Sequence, residues 1–301
     1  MSTPPPQPRP DEGAVPRSRG VPVPRPGVAQ RLLALLAAFD ADHRELTLTA
    51  LARRAGLPAA TAHRLIGQLT AWGALEQAES GGYRIGLRLW EVATLAPRSA
   101  GLRRAALPFM EDLYETTHEN VQLAVRDGYD TLYIELISGR SAVIVRTTVG
   151  SRWPLHATGV GLVLLAHAEP GVQEQVCAAP LARFTPHTIT DPARLRAALA
   201  EVRRADAAVS DRQITDDAVS VAAPIRDAGG RVVAALSLVV PATAPAAALI
   251  PAVRMAARGA SRALGHVGGP AGPHGPAAPG AAAPAAGAAF HPVEGPLAAE
   301  D

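Results

Sequence analysis

Cysteine, lysine and aromatic residues are scarce in this sequence of 301 residues. A single cysteine, Cys177, excludes an intramolecular disulfide and a zinc site built from several cysteines. We expect Cys177 to act as a small, buried apolar residue. The nine histidines are scattered without the spaced pairs that metal ligation needs, and we expect no metal or other cofactor. Apolar runs of the roughly 18 residues that span a membrane are absent, as is the apolar core of a signal peptide. These absences favour a cytoplasmic protein.

Charge is nearly balanced over the whole chain but is uneven along it. The 29 basic residues, all of them arginine, stand against 27 acidic residues and give a formal net charge of +2. Between Leu46 and Leu75 the only charged side chains are Arg53, Arg54 and Arg64. The sequence therefore predicts a small positive face, without the overt basicity of a protein that coats nucleic acid nonspecifically.

Composition divides the chain into five segments. The two ends, residues 1–26 and 266–301, are rich in proline and poor in large apolar side chains, so we expect a disordered arm and a disordered tail. The hydrophobic content, 48% of the chain, is enough for two cores of about 100 to 150 residues each. We assign residues 27–86 to a first folded unit, 87–101 to a linker helix and 102–265 to a second unit.

The first unit has the pattern of a helix-turn-helix. Apolar spacing predicts a helix over Val28–Asp40, and Thr47 is placed to cap a second helix over Thr49–Ala55. Gly56 follows, where a left-handed turn needs no Cβ atom. Proline is harmless at the first position of a helix, so a third helix is expected over Pro58–Trp72.

A wing and a connecting helix follow the third helix. Gly81 and Gly82 lie between two short extended runs and predict a hairpin. The next segment, "GLRLWEVATLA", is amphipathic and ends at Pro97, which predicts a linker helix into the second unit.

The outward side of the third helix carries the candidate DNA contacts. Arg64 can pair with guanine or hold a phosphate, Gln68 can reach adenine, and Thr61 suits a phosphate or a thymine methyl group. His63 can donate a hydrogen bond to either, and Arg84 on the wing suits a phosphate or minor-groove contact. The alternative interpretation is a solvated face of an alanine-rich helix beside a hairpin that only confers solubility.

The second unit mixes helical and strand periods and predicts an α+β domain with a central antiparallel sheet. Its expected elements are a helix over Arg103–His118, a hairpin turned at Asp127–Gly128, a strand over 141–149, helices in "TGVGLVLLAHA" and "PARLRAALAEVRRA", and a closing hairpin turned at Gly229–Gly230.

Four segments resemble the isocitrate lyase regulator (IclR) family of bacterial transcription factors, and the likeness covers roughly Val28–Leu264. They are "ALARRAGLPAATAHRLIGQL", "GGYRIGLRL", "VGSRWPLHATGVGLVLLA" and "SVAAPIRDAGGRVVAALSLVVP". The resemblance implies a winged helix-turn-helix, a linker helix and an effector-binding domain with a curved antiparallel sheet flanked by helices. It also implies homodimers that pair into homotetramers and bind double-stranded operator DNA as repressors or activators. The effector would be a small organic acid, in many members an aromatic one.

The resemblance also implies a set of effector-binding residues. The backbone of Gly159 and Val160, at the start of a helix, would face the anion. Asp211 matches an acidic position of the family's pocket loop, Ser220 a position often held by Cys or Ser, and Ser237 the first serine of a closing "SxS" strand. Each serine could donate a hydrogen bond to a carboxylate.

This sequence departs from the family pattern at several positions. Val239 replaces the second serine of the closing strand, which removes a polar contact from the expected pocket. Leu162 stands where a lysine is common, and Ala59 and Ala60 replace polar residues of the recognition helix. These departures favour a less polar effector or a looser site, and an unfamiliar operator sequence.

Two other functions remain as alternatives at the level of sequence. The second unit could be an enzyme of small-acid metabolism if Asp211, Ser220 and His156 converged, although no nucleophile-elbow motif or metal constellation accompanies them. The helix-turn-helix face could instead bind a protein. The two serines could be buried strand hydroxyls, and Arg152 and His156 could merely hold their loop in place.

Overall fold

The computed structural model describes residues 26–267, except 41, 96, 140–142, 144 and 146 and the side chains of 97–100. The predicted arm and tail lie almost entirely outside this range. The chain divides into two compact units, Met1–Glu91 and Val92–Asp301. Within the described residues, every helix is too short or too polar to cross a bilayer.

The first unit is a winged helix whose described strands form one antiparallel sheet in the order β1-β3-β2. Its core contains Leu35, Leu51, Leu65 and Leu75, all buried. The elements are α1 (Val28–Leu36), β1 (Glu45–Leu46), α2 (Leu48–Arg54), α3 (Ala59–Trp72), β2 (Leu75–Gln77) and β3 (Tyr83–Ile85), and α4 (Leu87–Thr94) begins in this unit.

Local hydrogen bonds explain the turn between α2 and α3. The Thr47 hydroxyl accepts a hydrogen bond from the amide of Ala50 and caps α2. Gly56 takes φ +64°, and the amide of Leu57 donates to the carbonyl of Ala52. Pro58 is the N-cap residue, in an extended conformation, so α3 begins one residue later than the sequence predicted.

The second unit is built on a curled six-stranded antiparallel sheet in the order β6-β5-β4-β9-β8-β7. Its elements are α5 (Pro97–Thr117), β4 (Asn120–Asp127), β5 (Asp130–Ile137), β6 (Arg152–Pro154), α6 (Gly159–Ala166), α7 (Pro170–Ala178), α8 (Pro192–Ala205), β7 (Ala208–Asp211), β8 (Ala218–Arg226), β9 (Val232–Pro241) and α9 (Ala246–Ala263).

Strand alternation divides the second unit into two cores. One face of the sheet, with Val221, Leu236 and Leu238, packs against α5 and α9. The other face carries the small residues Ala124, Ala222 and Ala235, which let the apolar helix α6 lie close, with α7 and α8 around it. Because side chains alternate between the faces, neighbouring residues of one strand belong to different cores. Cys177 is buried in the second core, as expected, and burial raises the pKa of its thiol.

Three helices, α5, α7 and α9, differ from the sequence-based prediction. The helix expected from Arg103 begins at Pro97, so the predicted linker 87–101 contains all of α4 and the start of α5. Helices α7 and α9 were not predicted; α9 continues through an internal proline, Pro251.

The prediction of a strand over 141–149 is wrong where the structure describes this segment. Residues 141, 142, 144 and 146 lie outside the described residues. Val143, Val145, Thr147 and Thr148 belong to no strand. The side-chain amide of Asn120 donates a hydrogen bond to the carbonyl oxygen of Val143, at 2.7 Å. The edge beside β5 is instead occupied by β6, from Arg152 to Pro154.

Candidate nucleic-acid interface and ligand cavity

Helix α3 presents one polar face to solvent. Ala62, Leu65, Ile66 and Leu69 are buried at helical spacing and fix the helix to the core of the first unit. The opposite side leaves a row of exposed residues, with Thr61 half-buried at its edge; the exposed ones are Ala59, Ala60, His63, Arg64 and Gln68. The arrangement is therefore the one that a groove contact by Thr61, His63, Arg64 and Gln68 requires.

The arginines of this unit differ in whether they are already paired. Arg54 donates to the carbonyl of Ala38 at 2.7 Å and forms an ion pair with Asp40, so it holds the α2 end in place. Arg53 and Arg64 are exposed, and their guanidinium groups have no partner among the described residues. The two unpaired cations are the ones available to phosphates or base edges.

Arg84 on the wing is held by a neighbouring strand. Its guanidinium lies 3.3 Å from the carboxylate of Glu76, whose other oxygen accepts the amide of Leu87 at 2.9 Å. That amide and Arg84 together lower the pKa of Glu76, so the carboxylate stays ionised. Arg84 would have to exchange this carboxylate for a phosphate in order to contact DNA.

A cavity opens in the second unit beside the N-terminus of α6. It encloses about 530 Å³ of unfilled space, part of it open to solvent. Strands from both halves of the sheet, the segment before β6 and the β7–β8 loop form its walls. The described lining residues are Gln122, Tyr133, Val145, Thr147, Trp153, Thr158, Ser210, Gln213, Ile214, Thr215, Ala218, Ser220 and Val239, and none of them carries a charged side chain.

Ser220 and the first turn of α6 meet at this cavity. A Cβ atom on Gly159 would lie 2.7 Å from the Ser220 hydroxyl oxygen, so glycine is required for the approach. The Thr158 hydroxyl caps the amide of Gly161 at 3.0 Å, whereas the amides of Gly159 and Val160 have no acceptor among the described residues. The two helix N-terminal amides and the Ser220 hydroxyl therefore have no partner among the described residues.

Tyr133 contributes a neutral hydroxyl group to the wall. Burial raises its pKa to about 12, despite hydrogen bonds with Thr158 and Thr131 that favour ionisation. The phenol therefore stays protonated at neutral pH. Among the described lining residues, a ligand in this cavity meets neutral donors and apolar surface.

The remaining effector residues predicted from sequence lie elsewhere. Asp211 is exposed, pairs with Arg212 at 2.9 Å and is not among the described lining residues. Ser237 is fully buried and donates to the side-chain oxygen of Gln122 at 3.5 Å. Val239 does line the cavity, opposite Ser220 in the β8–β9 ladder.

Sequence reasoning missed Gln122, Tyr133 and Trp153. The signal that could have found Gln122 is its position between apolar residues of "NVQLAV", because a polar residue at an inward position of a buried strand needs a partner or a ligand. Tyr133 and Trp153 gave no such signal, since aromatic residues in strands are ordinary core residues.

His156 and Arg152 are engaged in structural contacts. The His156 ring nitrogen Nε2 lies 2.9 Å from the carbonyl of Ala182, and burial lowers the pKa of the imidazole. Arg152 forms an ion pair with Asp127. His156, Asp211 and Ser220 therefore each have different surroundings, and the catalytic convergence required by the enzyme hypothesis is not formed.

A winged helix with unpaired surface arginines, joined in one chain to a domain with an uncharged cavity, defines a ligand-responsive DNA-binding regulator. Residues 28–79 match the family model described as the IclR helix-turn-helix domain. Residues 95–265 match the one described as the bacterial transcriptional regulator IclR C-terminal domain. The chain belongs to the IclR family of transcriptional regulators.

Individual relatives agree with this assignment. The chain is 32% identical to the HTH-type transcriptional regulator XynR of Escherichia coli over 211 residues, 69% of this chain and 84% of that protein. It is 33% identical to the Pca regulon regulatory protein of Pseudomonas putida over 217 residues, 69% and 72% of the two chains.

A solved structure resembles the chain over most of its length. It is the crystal structure of an IclR homolog from Microbacterium hydrocarbonoxydans complexed with 4-hydroxybenzoate. The identity is 38% and the TM-score 0.77, over 79% of this chain and 99% of that one. The protein is thus a DNA-binding transcriptional regulator with a small-molecule effector, and the enzyme alternative has no support.

Proposed function

We propose that the chain binds operator DNA through α3 and the wing, and that a small aromatic carboxylic acid in the cavity modulates this binding. The observation that carries the proposal is that the amides of Gly159 and Val160 have no acceptor among the described residues, at a helix start where Gly159 lies against the Ser220 hydroxyl. The similar protein complexed with 4-hydroxybenzoate supports the same class of ligand.

The carboxylate of the effector would lie at the first turn of α6. Amides at a helix N-terminus bind anions without a cationic side chain, because they are unsatisfied donors at the positive end of the helix dipole. The ring would then contact the apolar wall formed by Val145, Trp153 and Val239. Val239, where the family pattern has serine, makes this wall more suited to a ring than to a polyhydroxylated chain.

Operator binding rests on exposed groups in the first unit. Arg64 and Gln68 would contact base edges, Thr61 and His63 a phosphate or base, and Arg84 a phosphate after leaving Glu76. Because ligand and DNA bind one chain in which α4 joins the two units, any effect of effector on operator affinity must be reciprocal. The bacterial chromosome is the target of this family, so we place the protein in the cytoplasm.

Replacing Ser220 with alanine should weaken the binding of 4-hydroxybenzoate by roughly tenfold to a hundredfold, because a hydrogen bond to a charged group is worth roughly 1.5 to 3 kcal/mol. Isothermal titration calorimetry on the full chain measures the effect. The matched control is Asp211→Asn, which should leave affinity unchanged because Asp211 is exposed and paired with Arg212. Equal affinities for Ser220→Ala and wild type would place the carboxylate elsewhere.

A homodimer is part of the proposal, because operators read by helix-turn-helix proteins have two half-sites. Leu33, Leu87 and Trp90 of the first unit are 64%, 64% and 63% exposed. Large apolar side chains at such exposure favour a protein contact. They would be covered by the same surfaces of a second copy.

Trp90→Glu should shift the chain from dimer to monomer at micromolar concentration, since it puts a charge into an apolar interface. Analytical ultracentrifugation measures the change, and it also reports whether wild-type dimers pair into tetramers. Gln77→Glu, an exposed polar position in β2, is the control for added charge. A Trp90→Glu protein with the wild-type mass distribution would remove this surface from the interface.

A further inference from the structure

A second cavity, the Asp130 groove, lies on the second unit outside the effector cavity. One wall is Tyr129, Asp130 and residues 154–156; the other is Gln175, Val176 and residues 179–182. It holds about 960 Å³ of unfilled space, part of it open to solvent. The segment from Trp153 to Thr158 separates the two cavities, since its ends line the effector cavity and its middle lines the groove.

The groove is largely apolar and contains one unpaired charge. Pro154, Leu155, Val176 and Leu181 supply most of the surface. Asp130 is half-buried, and its carboxylate has no hydrogen-bond partner among the described residues. Burial raises the pKa of this carboxyl group, which is the expected response of a carboxylate without a close partner.

Asp130 and the two charges that act on it, Arg152 and Asp127, leave one negative charge in excess. The nearest cation, Arg152, is taken by Asp127 in an ion pair, so two carboxylates share one guanidinium. On the neighbouring elements Arg126 is paired with Glu169 and Arg196 with Glu174. A cation that entered the groove would therefore meet an uncompensated carboxylate against apolar walls.

The other polar groups of the groove suit a compact cationic ligand. His156 contacts the carbonyl of Ala182 through Nε2, and burial favours its neutral form, so it adds no positive charge. The hydroxyl of Tyr129 donates a hydrogen bond to the side-chain oxygen of Gln175. Tyr129 is 51% exposed, and its phenol ring lies at the rim of the groove. An aromatic ring beside a carboxylate attracts organic ammonium groups.

We propose that the Asp130 groove is a second ligand site, which binds a small organic cation whose ammonium or guanidinium group is carried on an apolar body. The cation pairs with Asp130, and the apolar body covers Leu155, Val176 and Leu181. The occupant is a small molecule because the groove is a bounded pocket between one sheet edge and α7. The site is independent of the effector cavity and of the acid proposed to bind there.

The test is a calorimetric titration of the full chain with phenethylammonium chloride, alongside its neutral analogue 2-phenylethanol. We expect saturable binding of one phenethylammonium per chain, at least tenfold tighter than the alcohol. Asp130→Asn should abolish that difference. A half-exposed carboxylate without partners is replaceable by an amide with little effect on folding, which a thermal melt verifies.

Three further variants make the outcome decisive. Ala179→Trp fills the groove from an exposed position and should remove binding of both probes, whereas Asp211→Asn removes a carboxylate outside the groove and should change nothing. Ser220→Ala, in the effector cavity, should also leave phenethylammonium binding unchanged. The proposal is overturned if wild type and Asp130→Asn bind the cation equally, if no binding occurs, or if Ser220→Ala abolishes it. A failure here leaves the acid titration of the effector cavity unaffected, so the two proposals fail separately.

Discussion

Replacing Arg64 with alanine should weaken operator binding by roughly 1 to 3 kcal/mol and relax sequence preference at one base pair. The guanidinium is exposed on α3 and unpaired among the described residues, so no internal contact competes with DNA. Fluorescence anisotropy with DNA from upstream of the gene and with a scrambled duplex, over a range of salt concentrations, measures affinity and specificity together.

Two further variants distinguish a contact of Arg64 with a base from an effect of its charge alone. Arg64→Lys keeps the charge but loses the planar fork, so a contact to guanine predicts lost specificity with retained nonspecific binding. Arg204→Ala removes an exposed arginine from the second unit, where it pairs with Glu201, and should leave DNA affinity unchanged. If Arg64→Ala binds the operator as tightly as wild type does, α3 does not enter the groove in the proposed orientation.

Gly159→Val should abolish the response to the acid effector, with affinity reduced by about a hundredfold, or about 2.7 kcal/mol. The first added atom would lie 2.7 Å from the Ser220 hydroxyl and 3.2 Å from the Ser220 carbonyl oxygen, so the Ser220 side chain must rotate and α6 must shift from β8 by a few tenths of an ångström. That displacement moves the two amides that would hold the carboxylate. Overpacking of this kind also costs roughly 1 to 3 kcal/mol in the free energy of unfolding.

The control for Gly159→Val is Gly171→Ala, on α7, where no neighbouring atom lies within 4 Å of the added Cβ. A gentler variant, Gly159→Ala combined with Ser220→Gly, removes the hydroxyl clash and should recover much of the melting temperature but not the effector affinity. Calorimetry and thermal melts on the same preparations check both outcomes. Full effector affinity in a folded Gly159→Val protein would contradict the proposed position of the carboxylate.

Local signals predicted most of the first unit correctly. The Thr47 cap, the left-handed turn at Gly56 and the end of α3 at Trp72 depend on residues within one or two helical turns, so their pattern is visible in the sequence. The hairpin turns at Gly128 and Gly230 were found for the same reason, because both glycines have positive φ. Helix α7 was missed because it is short and has weak periodicity, whereas α9 was not predicted although its apolar residues follow helical spacing.

The effector residues named from the sequence stay a prediction, and only one of them lies in the described lining of the cavity. Ser220 lines the cavity and Gly159 lies against it, but Gly159, Val160, Asp211 and Ser237 are not among the described lining residues. Asp211 lies on the exposed side of β7, where it pairs with Arg212, and Ser237 is buried next to Gln122 of the adjacent strand. Cross-strand neighbours are set by register between segments more than a hundred residues apart, which no local pattern reports.

By itself the sequence determined the two-unit organisation, the helix-turn-helix with its basic face and the membership of a regulator family. Each of these follows from composition, short-range spacing or contiguous motifs. Only the tertiary structure decided that Arg54 and Arg84 are already paired. It also decided that, within the part of the chain that the structure describes, Arg64 and Asp130 have no partner and the effector cavity is lined by uncharged groups. The physical reason is that pairing and burial of charge depend on which distant segments the fold brings within a few ångströms of one another.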